Sequence, residues 1–98
     1  MKNLTINGEI IAIDAETQIP TKSGGVFLKR DIVVLERGER EDTELPITFT
    51  GPRVSLLDDF AVGEPVCVCF DLRARKWQGS DGATHRAITA DGWRIEKG

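Results

Sequence analysis

The chain predicts an all-β fold of five strands with one short helix between the third and the fourth. Three observations carry that prediction. Val66, Val68, Phe70, Leu72 and Ala74 alternate with Cys67, Cys69, Asp71, Arg73 and Arg75, the two-residue period of a strand buried on one face. Gly, Pro and Asp recur between short β-branched runs, which is the chemistry of turns between strands. In one stretch, residues 53–60, apolar side chains recur at intervals of three instead, with Val54, Leu57 and Phe60 joined by Leu56. That spacing, with Pro52 near its start, fits one or two helical turns.

The elements follow in order. Leu4 to Ile13 is apolar and β-branched and forms the first strand, with Gly8 marking a bulge or bend. Asp14 to Gly25 is a long polar loop containing Pro20 and the Gly24-Gly25 pair. Val26 to Glu36, rich in Val, Ile, Leu and Phe, is the second strand. A charged turn at 37–42 leads to the third, Glu44 to Thr50, where Leu45, Ile47 and Phe49 alternate with Pro46 and Thr48. A proline there points to an edge position or a bulge. Gly51-Pro52 breaks the pattern before the helix, and Val62-Gly63-Glu64-Pro65 ends it.

The fourth strand is the alternating run. Trp77 to Gly82 supplies hairpin-turn residues, and the last strand runs from about Ala83 to Ile95. A register that sets Leu72 opposite Ile88 and Phe70 opposite Ala90 separates an apolar face from a wet one. The wet face gathers Arg73, Arg75, His85, Ala87 and Thr89. A bulge at Asp91-Gly92 would re-aim Trp93 and Ile95.

Three strands, a helix and then a hairpin is the order of the OB-fold, a five-stranded Greek-key barrel. Ninety-eight residues give that fold one domain, 1–98. A core this small is marginal alone, so a homo-oligomer, dimer or tetramer, is expected.

Thirteen Lys and Arg against sixteen Asp and Glu leave a net charge of −3, which excludes a domain basic overall. The excess is local. Residues 36–44 hold five carboxylates and two arginines, so the remainder balances at eleven against eleven. Those nine residues read as a soluble turn that would repel nucleic acid.

No apolar run is long enough to cross a bilayer, and Met1 to Glu9 lacks the pattern of a secretory signal. A soluble cytoplasmic protein without membrane association is expected. Cys67 and Cys69 fall on one face of a strand, where a mutual disulfide does not fit, and are read as free thiols. His85 is the one histidine, so three soft ligands are the most a zinc site could draw on. No metal or cofactor is expected.

Catalysis finds no support. Asp58 and Asp59 diverge on a helix, Gly24-Gly25 lacks the Lys and Ser/Thr of a phosphate loop, and no nucleophile motif is present. A non-enzyme is expected.

Pro46-Ile47-Thr48-Phe49-Thr50-Gly51, the Val62-Gly63-Glu64-Pro65-Val66 entry and the Leu72-Arg73-Ala74-Arg75-Lys76-Trp77 exit together resemble the OB domain of bacterial single-stranded DNA-binding proteins. Nearly the full chain resembles a family of compact bacterial OB-fold proteins akin to them. That pattern includes Gly8-Glu9-Ile10, Lys29-Arg30-Asp31, Leu56-Leu57 with Phe60, and Ala90 followed by Trp93-Arg94-Ile95. The resemblance implies an OB barrel that binds single-stranded DNA, or RNA, with little sequence specificity.

Such binding needs positive charge along a groove and flat side chains on which bases stack. Arg73, Arg75 and Lys76 beside Trp77 supply one candidate cluster, with Trp77 as the platform and the cations on phosphates. Phe27 and Lys29 on the second strand supply another. Adjacent residues point to opposite sides, so Lys29 shares the face of Phe27 and Arg30 turns inward toward an acidic partner. Trp93 reads as core, Arg53 as a solvated helix-start residue, and His85 as an exposed strand residue. A protein-interaction module on the same fold is the alternative, since fold alone does not choose a function.

Overall fold

Inward side chains at every second position close five strands into a barrel. The computed structural model describes residues 1–98. Its elements are β1 (Leu4–Ile13), β2 (Thr17–Pro20), β3 (Val26–Glu36), β4 (Thr43–Thr50), a 3-10 helix (Gly51–Asp59), β5 (Pro65–Gln78) and β6 (Thr84–Lys97). The sheet runs β1-β5-β6-β4-β3-β2, and β1 also pairs with β3, so the ring closes with β2 outside it. This is the OB-fold, with its helix between the third and fourth barrel strands.

β1 serves two neighbours. Its first half, residues 4–9, pairs with β5, and residues 9–13 pair with β3. The register shift lies between Ile10 and Ala12, two residues beyond Gly8. Gly8 has a different reason to be glycine: a Cβ there would fall on the carbonyl oxygen of Leu35. β4 pairs with β3 along its whole length but meets β6 at one parallel pair, Thr48 with Asp91. Pro46 thus sits where the second edge of β4 has no ladder to supply, as a strand proline requires.

The core is the inward set. Ile10, Val34, Ile47, Phe49, Leu57 and Val68 have no exposed surface. Val54 and Leu57 are buried and Phe60 packs against the core. Their spacing of three is the three-residue turn of a 3-10 helix. Cys67 and Cys69 are free, half-buried and on the opposite face of β5 from buried Val66, Val68 and Phe70. No helix is long and apolar enough to cross a membrane.

Three sequence expectations change. The loop at 14–25 contains β2, which pairs with β3 from Thr17 opposite Lys29 to Pro20 opposite Val26. All four β2 residues are exposed, so no apolar alternation announces the strand. The hairpin register slips by two: Leu72 faces Ala90, and Ala74 faces Ile88. Gly79 to Gly82 form the turn, closed by bonds from Gly79 N to Ala83 O and from Gly82 N to Gly79 O. Gly82 supplies the positive φ that this turn requires. A slip of two preserves which face each side chain takes. Finally, Ile88 is not core but 73% exposed, because the β5–β6 arm extends beyond the end of the barrel.

Lys97 fastens the last strand to the helix exit. Its ammonium donates to Glu64 Oε2 at 2.8 Å and to the Asp59 carbonyl at 3.2 Å, and lies over the Phe60 ring at 5.2 Å. The hydrogen bond from Lys97 holds the Glu64 carboxyl below its ordinary range. A depressed carboxyl stabilises the fold above the ordinary glutamate range and loses that contribution as pH falls through the lowered value. Lys97→Met should therefore melt below wild type at neutral pH. Thermal melts across pH should show the gap narrowing on acidification.

Candidate nucleic-acid interface

Outward-facing residues of the barrel, the β2–β3 pair and the β5–β6 arm line a groove of about 800 Å³. On the β2–β3 side stand Ile19, Phe27 and Lys29; on the β5–β6 side stand Arg73, Arg75 and Thr89. Thr48, Asp71, Asp91 and Trp93 line it between them, with Arg53 from the helix start. Strand alternation explains the grouping. Phe27 and Lys29 are two apart on β3, as are Asp71, Arg73 and Arg75 on β5.

The charge is mixed and locally paired. Four cations line the groove, Lys29, Arg53, Arg73 and Arg75, against two carboxylates, Asp71 and Asp91. Arg73 Nε donates to Asp91 Oδ2 at 3.0 Å. Lys29 lies 3.9 Å from Asp31, whose other oxygen accepts from Thr48 Oγ1 at 2.7 Å. Asp71 accepts the backbone N–H of Asn3 at 2.8 Å. Asp71 and Asp91 are themselves direct cross-strand partners.

Phe27, Lys29, Arg73 and Arg75 thus come together in one groove. Trp77 and Lys76 do not join them there. Trp77 lies farther out on the arm, 46% exposed, with its ring stacked on His85 at 5.6 Å and Arg75 at 5.9 Å. Lys76 points to the reverse face of the arm, where its strand partner is Arg86. Arg30 turns away from the groove, donating to the Asp14 carbonyl and pairing with Asp58 at 3.2 Å.

Trp93 is the aromatic that sequence reasoning assigned to the core. The β5–β6 ladder passes from Phe70 opposite Gly92 to Cys69 opposite Arg94, leaving Trp93 as the extra residue of a bulge. A bulge re-aims a side chain, and this one sets Trp93 half-buried against the groove. Its indole N–H is buried with no acceptor. Gly92 turns inward, where a Cβ would lie 2.5 Å from Cζ of Phe49. The sequence signal was the Asp91-Gly92 pair, which marked the bulge but not its outcome. Arg53, expected to be simply solvated, also borders the groove.

Over residues 5–96 the chain matches the family described as "Domain of unknown function (DUF3127)". No curated protein matches it. Among solved structures it is similar to the mitochondrial single-stranded DNA binding protein Rim1 of S. cerevisiae, at TM-score 0.69 and 15% identity. That similarity covers 97% of this chain and 92% of the other. It is also similar to the SSB domain of a Synechococcus sp. protein, at TM-score 0.64 and 14% identity, covering 97% of this chain and 93% of that one.

Proposed function

The chain belongs to the family described as domain of unknown function DUF3127, and on that footing we propose that it binds single-stranded nucleic acid, DNA in the first instance. It acts as a non-catalytic single domain that recognises no defined sequence motif. The observation that carries this reading is the groove, where Phe27 and Trp93 offer ring surface among Lys29, Arg53, Arg73 and Arg75. Stacking on aromatic faces with cations along the backbone is how such strands are held. The similarity to two single-strand DNA-binding structures supports the same reading. Self-association belongs with it, supported by the small core and by exposed Ile88 on the reverse face of the arm.

Titration with a mixed-sequence oligonucleotide at low salt, followed by tryptophan fluorescence, tests the reading. Quenching should persist in Trp77→Phe, where Trp93 alone reports. No quenching at low salt, where phosphate contacts are strongest, would overturn it. If all four cations engage phosphates, log K should fall with log salt at a slope of about −3, from about 0.7 per contact on a single strand. Arg75→Ala should reduce that slope to about −2.

A further inference from the structure

The carboxylates of the groove have no place in a purely electrostatic binder. Asp71 and Asp91 face each other directly across β5 and β6, an arrangement of like charges that works against sheet stability. In the free protein Arg73 holds Asp91 at 3.0 Å. The partners are unequally placed: the Arg73 side chain is 74% exposed and that of Asp91 30%. Arg73 is therefore free to swing toward a phosphate, while Asp91 remains in the groove. Once it swings, two opposed carboxylates face the ligand with their cation withdrawn. An anion in a half-buried site demands a replacement donor.

A nucleic-acid base can supply one. A carboxylate only accepts hydrogen bonds, so it rewards base edges carrying N–H groups. The Watson–Crick edge of guanine presents two adjacent donors, the ring N1–H and the 2-amino group, in a fork that matches two carboxylate oxygens. Thymine presents one N–H flanked by two carbonyl oxygens, which repel an anion. Trp93, two residues beyond Asp91 and lining the same groove, offers ring surface for the base that the carboxylate reads. Edge recognition combined with stacking is the common mode for unpaired bases.

Resting on the nucleic-acid reading above, we infer that Asp91, with Asp71 beside it, gives the groove a compositional preference. Strands containing guanine bind in favour of strands of thymine alone, with Arg73 exchanged from Asp91 to a phosphate as the base arrives.

The test compares three strands of about 16 nucleotides, the upper site size of an OB domain. One is all thymine, one carries isolated guanines in thymine, and one carries inosine at the same positions to remove the 2-amino group. Affinities are measured by anisotropy at one fixed salt concentration. The guanine strand should bind at least about 5-fold more tightly than all-thymine, with inosine between them. Asp91→Asn should raise affinity for the all-thymine strand by freeing Arg73, and should narrow the guanine gap to under about twofold. Asp91→Ala should narrow it likewise, and thermal melts of both variants establish that they are folded. Equal affinity for all three strands in wild type, or a gap that both variants leave intact, would overturn the inference while leaving the binding function standing. If no strand binds, the nucleic-acid reading and this one fall together.

Discussion

Trp93→Ala is expected to weaken single-strand binding by about 5- to 150-fold, the loss of a base stack worth about 1–3 kcal/mol. The contrast with Trp77 makes the result informative. Trp77 is the more exposed ring, yet it lies outside the groove and already stacks on His85. Trp77→Ala should therefore cost less than about threefold, below the range of a base stack. Trp93→Phe keeps a ring in place and should recover most of the affinity. Anisotropy titrations of the three variants, each checked by thermal melt, decide the matter. A larger loss at Trp77 than at Trp93 would return the stacking platform to the arm.

Gly92→Ala is expected to destabilise the barrel strongly for so small a change. The added methyl would lie within 2.5–2.8 Å of three atoms of the Phe49 ring, and Phe49 is fully buried in the core. Neither partner has room to retreat, since Gly92 is itself buried within a paired strand. Overpacking of this kind costs about 1–3 kcal/mol, which for a domain of this size lowers Tm by about 5–20 °C. Trimming the ring should help: Phe49→Leu combined with Gly92→Ala should lose less stability than the two single losses added together. Thermal melts of the four proteins in that cycle measure the coupling. Simple additivity would show that the clash is relieved elsewhere.

How much of this was written in the chain depends on how local the cause is. Alternation at Val66, Val68 and Phe70 is a one-strand property, and it placed those residues inside. Parity alone put Lys29 beside Phe27 and turned Arg30 inward, where it meets Asp58. The spacing of Val54, Leu57 and Phe60 was enough to find the helix. What escaped depends on partners distant in sequence. β2 is exposed at every position and is held by β3, so no buried stripe records it. Ile88 looks like a core residue because its own strand alternates, but the barrel ends before it. Lys76 was grouped with Arg75 and Trp77 by adjacency, although alternation already assigned it to the other face. Trp93 escaped for the subtlest reason: one extra residue between Gly92 and Arg94 resets parity, and only the facing strand reveals it.

The meeting of β4 and β6 at Thr48 and Asp91 carries a further consequence. Every other junction of the ring is a ladder of several residue pairs, and this one has a single pair. Both of its residues line the groove. A strand touching Lys29 on one bank and Arg73 on the other lies across that junction like a suture. On the proposed reading, a bound strand would brace the ring where its own pairing is thinnest.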